Sequence, residues 1–237
     1  MRPLSVQELL TLWEGGLNAR PFERAFAILS IASPESSREE LARISIGRRD
    51  SCLLQLREWA FGSDLSILAS CPHCGQALEM MMPVSNLRAC SEPIGDLETS
   101  LALRDYEVQC RPPNTEDLIA CAGPEISTAR EKLFARCVTD ARYRGQPVST
   151  NQLPDDIARQ VVEKIDSIDP QADTRIMLSC PDCHHGWDEV FDVVSFFWTE
   201  IDFWARRIFK EVHILAAAYG WRESDILALS PSAVKST

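Results

Sequence analysis

The sequence predicts a mainly helical α+β protein built around a small zinc-ribbon-like antiparallel β module, with helices before, between and after its two halves. Three observations predict it. Cys71-Pro72-His73-Cys74 and Cys180-Pro181-Asp182-Cys183 are matched knuckles, each followed by strand-like residues, Ala77 to Met82 and Trp187 to Phe191. The remaining segments place apolar residues at three- and four-residue steps, the signature of amphipathic helices. A chain of 237 residues, 45% of them hydrophobic, is long enough to bury a real core.

The elements follow in order. Ser5-Val6-Gln7-Glu8 is a capping box ahead of Leu9, Leu10, Leu12 and Trp13, and Gly15-Gly16 ends that helix. Pro21 suits the first turn of a second helix whose Phe22, Ala25, Phe26 and Leu29 share a face; Ser33-Pro34 stops it. Ser36 and Ser37 cap a third helix, with Glu39 and Glu40 behind them, and a fourth runs from about Arg48 to Phe61 before Gly62. Strands are expected at Gln76 to Val84 and at Leu101 to Cys110, closed by Pro112-Pro113-Asn114. Asn114 or Thr115 caps a helix through Ala120, and Pro124 opens another carrying Ile126, Ala129, Leu133, Phe134 and Cys137 inward. Gly145-Gln146-Pro147 is a turn, and Ile157, Val161, Ile165 and Ile168 form one stripe of a helix from about Asp155 to Ile168. Strands return at Arg175 to Ser179 and Trp187 to Val193. Phe197, Ile201, Trp204, Ile208, Val212, Leu215 and Tyr219 then form one seam of a long helix ended by Gly220, and a short helix, Asp225 to Leu229, precedes Pro231. The chain therefore divides into N-terminal helices (1–61), first knuckle and strands (62–112), helical insertion (113–173), second knuckle and strand (174–194), and C-terminal helices with a tail (195–237).

The paired cysteines carry the chemistry. Two residues between cysteines let both sulfurs reach one ion while backbone amides point at the thiolates, so Cys71, Cys74, Cys180 and Cys183 are expected to hold one structural Zn2+. Residues 75–179 lie between the pairs, and closing so long a loop costs about 4–5 kcal/mol of chain entropy. A four-thiolate zinc site returns roughly 10–16 kcal/mol, so closure is favourable. Each pair alone resembles something else: a thioredoxin-type redox pair, or, with His184, a c-type haem attachment. The first needs a helix after its cysteines, where a turn and strand are read; the second needs export, of which Met1 to Ser5 shows no sign. His73 points away from the metal, His184 and His185 read as exposed loop residues able to substitute for a ligand, and His213 reads as a partly buried packing residue. Cys52, Cys90, Cys110, Cys121 and Cys137 occur singly and read as small apolar residues.

Composition narrows the function. The net charge of −11, made about two units more negative by four thiolates on a zinc ion, opposes a phosphate backbone. The pairs Arg48-Arg49 and Arg206-Arg207 have acids close by and read as solvated helix faces, so no nucleic acid is expected as a partner. No apolar run approaches the roughly 20 residues of a membrane span, which points to a soluble, cytoplasmic protein. Four cysteines close a zinc shell, and no Ser-His-Asp set, phosphate loop, glycine fingerprint or His-Glu-x-x-His motif occurs, so no enzyme activity is expected and no catalytic residue is assigned.

Three stretches, with the knuckles, carry a resemblance. They are Gly47-Arg48-Arg49-Asp50 leading into Leu53 to Glu58; Cys110-Arg111-Pro112-Pro113-Asn114-Thr115-Glu116-Asp117-Leu118; and Glu211 to Ala216 through Tyr219-Gly220-Trp221 to Pro231. Together the chain resembles the baseplate hub assembly proteins of T-even-type contractile-tailed phages and of phage-like extracellular contractile injection systems. The resemblance implies an assembly role, with baseplate or hub proteins as partners and no catalytic residues to transfer. A family tail is often arginine-rich, whereas Ser232 to Thr237 is short and nearly uncharged. Within the aromatic group near the final helix, most rings are expected in the core, with Phe203 and Trp198 facing partners.

Overall fold

Capping chemistry sets the first helices of the computed structural model, which describes residues 1–88, 98–122 and 126–227. Helix α1 (Val6–Gly16) starts where the Ser5 hydroxyl accepts from the Glu8 amide while the Glu8 carboxylate accepts from the Ser5 amide at 2.8 Å. Helix α2 (Pro21–Ala32) has its proline in the first turn, and Ser37 and Glu40 cap α3 (Arg38–Arg43) reciprocally. Helix α4 (Ile46–Phe61) begins two residues before the position expected from periodicity, because the Ser45 hydroxyl accepts from the Arg48 amide at 3.2 Å.

The strands depart further from expectation. A strand that the sequence reading missed, β1 (Asp64–Ser70), pairs antiparallel with β2 (Ala77–Pro83). The expected strand over Leu101 to Cys110 is a hairpin of β3 (Thr99–Leu103) and β4 (Tyr106–Cys110), turned at Arg104-Asp105 with Arg104 at φ +56°. Helix α5 (Thr115–Cys121) follows; then α6 (Ile126–Cys137) runs straight into β5 (Val138–Tyr143), also missed, and β6 (Gln146–Pro147) completes a four-stranded sheet in the order β3-β4-β5-β6. After α7 (Asp155–Ile168), β7 (Arg175–Ser179) and β8 (Gly186–Val190) form a second two-stranded sheet. Helix α8 (Val193–Tyr219) ends at left-handed Gly220, and α9 (Glu223–Leu227) follows. Cys90, Pro124 as a helix opener, the last two residues expected in the short helix and the tail from Pro231 lie outside the described residues.

Two cores result. The first gathers α1, α2, α4, both two-stranded hairpins and the first half of α8 around Ile28, Leu53, Leu56, Leu65 and Phe197. The second packs α7, through Ile157, Val161 and Ile165, on the four-stranded sheet at Val108 and Ala141. Burying each such aliphatic side chain contributes about 1.5–3 kcal/mol. Cys110 and Cys137 are buried in the second core, as read, while Cys52 and Cys121 are half-buried.

The seam of α8 is core only in its first half. Phe197 and Ile201 are buried, but Tyr219 is 55% exposed, and none of the residues from Arg206 to Tyr219 is fully buried. Phe203 is exposed as expected; Trp198 is not, at 7%. Its ring lies against Gly16, where an added Cβ would stand 2.1 Å from the indole, and beneath the Arg24 guanidinium at 4.3 Å. His213 is exposed rather than packed, because α8 has left the body there.

Long-range polar contacts lock the parts together. The Gly47 amide donates to Asp169 Oδ2 at 2.9 Å, and a Cβ at Gly47 would sit 2.1 Å from Asp169 Oδ1, so only glycine allows that approach. The Ile46 amide donates to the Pro113 carbonyl, beside a bridge between Ser45 and Asn114. Asp117, whose side chain is fully buried, accepts from Arg111 at 2.6 Å, from Arg136 at 2.7 Å and from the Asn114 amide at 3.0 Å. Burial pushes the Asp117 carboxyl up, but the Arg111, Asn114 and Arg136 hydrogen bonds outweigh it and hold the group below its ordinary range. A depressed carboxylate pKa contributes stability that is complete above the unfolded value, about 3.9, and is lost as pH falls through the folded one. Asp117→Asn is therefore expected to cost about 2–3 kcal/mol at pH 7 and to flatten the acid limb below about pH 5 in denaturant titrations. An acid limb identical to that of the parent would show that Asp117 is not the linked group.

Candidate metal centre

The two hairpin turns carry the four cysteines of the knuckles and bring them to one place. Both turns are built alike. The Cys71 amide donates to the Gln76 carbonyl and the Gly75 amide to the Cys71 carbonyl, both at 2.9 Å. Likewise the Cys180 amide donates to the His185 carbonyl at 2.9 Å, and the His184 amide to the Cys180 carbonyl at 3.0 Å. Gly75 and His184, each just after the second cysteine, are both left-handed, at φ +76° and +58°. The turns present sulfurs because a proline follows the first cysteine of each pair and the backbone folds back on itself after it.

Cys71 Sγ lies 3.6 Å from Cys183 Sγ, and Cys74 Sγ lies 3.6 Å from Cys180 Sγ. All four sulfurs lie within 4.8 Å of one another. Four thiolates at about 2.3 Å from one tetrahedral ion stand about 3.8 Å apart, so the set fits a metal ion; a disulfide needs about 2.05 Å, and these thiols are free. Cys71 and Cys180 are buried, Cys183 half-buried and Cys74 exposed, which places the cluster at the edge of the first core.

The electrostatics suit a cation. Burial raises the Cys71 thiol, but the Cys74 and His73 amides and the Cys183 thiol outweigh it and lower it to about 7. At Cys74 the Gln76 amide favours the thiolate, yet burial and the crowding thiols of Cys180, Cys183 and Cys71 push it up to about 12. Four sulfurs this close cannot all ionise unless a positive ion compensates them, and metal binding releases their protons. Tetrahedral S4 sites take zinc or iron, and four cysteine ligands fill the shell.

The nearby histidines are exposed. His73 stacks on His185 at 5.5 Å, and His185 on Trp187 at 6.2 Å, a column beside the cluster rather than part of it. His184 has the turn position that Gly75 has in the other knuckle, and an L-residue there carries about 1–2 kcal/mol of strain. His184→Gly is expected to keep the metal stoichiometry and raise stability by about 0.5–1 kcal/mol. Loss of metal in that variant would make His184 a ligand. The sequence reading missed β1, which delivers the first knuckle, and no local pattern marks Asp169, which meets the Gly47 amide, or Glu200, which accepts from Arg57 Nε at 2.7 Å.

Comparison with known families matches residues 7–198 to the family described as T4 bacteriophage base plate protein. The match spans both knuckles and ends in the first two turns of α8. No curated protein and no solved structure matches the chain. Among the described residues, no helix is long and apolar enough to cross a membrane.

Proposed function

The chain belongs to the T4 bacteriophage base plate protein family, and from that premise we propose that it is a non-enzymatic, zinc-stabilised assembly factor for the baseplate hub of a contractile phage tail or phage-like contractile injection system. The observation that supports its baseplate part is the family match, which covers the second core, the cysteine cluster and all of the first core's buried residues but Ile201. Zinc is favoured as the ion because four cysteines in tetrahedral reach form its commonest structural set. A bound zinc would supply a cross-link between two hairpins, with Cys71 and Cys74 on one side and Cys180 and Cys183 on the other. The filled shell leaves no open position for a substrate, which supports a structural role over catalysis.

The hub-assembly part of the proposal rests on the three resembling stretches. Two of them meet at one junction: Gly47 approaches Asp169, Ile46 bonds Pro113, and Asn114 and Asp117 cap α5. The third, over its described residues, takes in the end of α8 and the turn after it, with exposed Ile214, Tyr219 and Trp221 available to a partner baseplate protein. An assembly factor that departs is expected to be present in cell extracts and absent from purified particles. Quantitative mass spectrometry of purified tails decides it, because stoichiometric retention would make the chain a permanent structural subunit instead. The same family match supports that second reading equally.

A further inference from the structure

The two hairpins of the metal module do not pair with each other, and between them runs a cleft of about 570 Å³, many times the roughly 30 Å³ of one water. Its floor is Ile67, Ile176, Leu178 and Phe196; Leu68 of β1 and Val190 of β8 stand on its rims, 78% and 59% exposed. Ladder parity explains why these two residues are there. In an antiparallel pair, residues alternate between bonding their partner and turning their backbone groups away. The bonds that close the first hairpin run from Cys71 to Gln76 and from Val84 to Ser63, so odd-numbered residues of β1 face β2 and Ser66, Leu68 and Ser70 face outward. In the second hairpin the bonds join Cys180 to His185 and Phe191 to Thr174, so Asp188 and Val190 of β8 face outward. Outside the two ladders, no backbone bond among the described residues meets the amide or carbonyl of Leu68 or Val190.

We propose that this cleft is a strand-acceptor site: an extended segment of a partner protein, apolar at alternate positions and carrying Lys or Arg between them, pairs with the edges at Leu68 and Val190 and joins the two hairpins into one sheet. Charge selects this occupant. Among the described residues, the charged ones lining the cleft are Glu189 and Asp192, with Asp188 on the same strand as Val190 and Glu79 opposite Leu68. Glu189 is held by the Trp187 indole N–H at 3.0 Å, and Asp192 by its capping bond from the Ser195 amide. Arg175, across from Val190, is engaged by Asp173 at 2.8 Å. Backbone pairing would supply affinity, the Ile67 and Ile176 floor would seat alternate side chains, and the acidic rim would set the sign of the rest. The site goes beyond the baseplate reading and does not depend on which protein donates the strand.

The test uses the full chain with its metal and a blocked peptide of about seven residues alternating lysine and valine, against its glutamate–valine counterpart. Binding is read by fluorescence anisotropy and by amide hydrogen exchange. The expected result is saturable binding of the lysine peptide, none of the glutamate peptide, and new protection at Ser66, Leu68, Ser70 and Val190. Leu68→Pro removes an outward-facing amide, which an edge strand tolerates, and is expected to weaken binding at least tenfold with metal content and melting temperature retained. Val190→Lys tests the charge on the opposite rim with the same expectation. Equal binding to either variant, equal affinity for both peptides, or protection at other amides overturns the proposal. So does a dimer of the chain alone that protects these edges and dissociates on Leu68→Pro, which would make the occupant a second copy.

Discussion

Cys180→Ser is expected to abolish metal binding and lower the melting temperature by on the order of 10 °C or more. Cys180 is fully buried, and its sulfur lies 3.6 Å from that of Cys74 on the other hairpin. A serine oxygen is a poor partner for a soft tetrathiolate site, and the three remaining sulfurs would leave the ion open to exchange. Among the described residues no β-ladder joins β1-β2 to β7-β8, so an ion held by all four sulfurs would cross-link them, and its loss would part segments 106 residues apart in sequence. In a domain of this size each kcal/mol corresponds to about 2–4 °C, and a loss of about 5 kcal/mol sets the scale. The measurement is metal content by plasma mass spectrometry beside a thermal melt, with Cys121→Ser, a half-buried thiol outside the cluster, as control. A chelator is expected to reproduce the Cys180→Ser melt in the parent protein. An unchanged melting temperature with the metal gone would sink the idea of a clamp.

Arg57→Ala is expected to cost about 3–5 kcal/mol, because it leaves a partly buried carboxylate without its partner. Arg57 is 3% exposed and joins three elements: its Nε donates to Glu200 on α8 at 2.7 Å, and its other nitrogens donate to the carbonyls of Gly62 at 2.7 Å and Asp64 at 2.8 Å. It therefore holds the end of α4, the start of β1 and the flank of α8 in one geometry. Arg57→Lys is expected to recover little, since one ammonium cannot reproduce the guanidinium fork. A double-mutant cycle with Glu200→Gln separates the pair from the carbonyl contacts. A coupling energy near zero would mean that Arg57 acts only through the two carbonyls.

Several misreadings share a physical cause. β1 alternates buried Leu65 and Ile67 with exposed Ser66 and Leu68, but the signal is short and follows a helix without a break longer than Gly62-Ser63. β5 was missed because α6 runs into it with no proline or glycine between, so the change from one period to the other passes unmarked. The β3-β4 turn escaped notice because Arg104 adopts a left-handed conformation usually given to glycine or asparagine. The seam of α8 was legible in its periodicity, yet periodicity names a face and says nothing of where its neighbours stop. Trp198 was misplaced for the reverse reason: its burial depends on Gly16 of α1, far away in sequence.

By itself, the sequence determined the helices, whose caps and apolar steps are local, and the cysteine set, because ligand geometry demands a fixed spacing within each knuckle. Only the tertiary structure decided that four sulfurs, from residues as far apart as Cys71 and Cys183, 112 positions, close on one point, that Arg57 meets Glu200, and that Leu68 and Val190 flank a cleft. The physical reason is range. Capping and knuckle turns are contests among a few adjacent groups, whereas core, clamp and edge depend on which distant surfaces exclude water together, and no short stretch of residues contains that information.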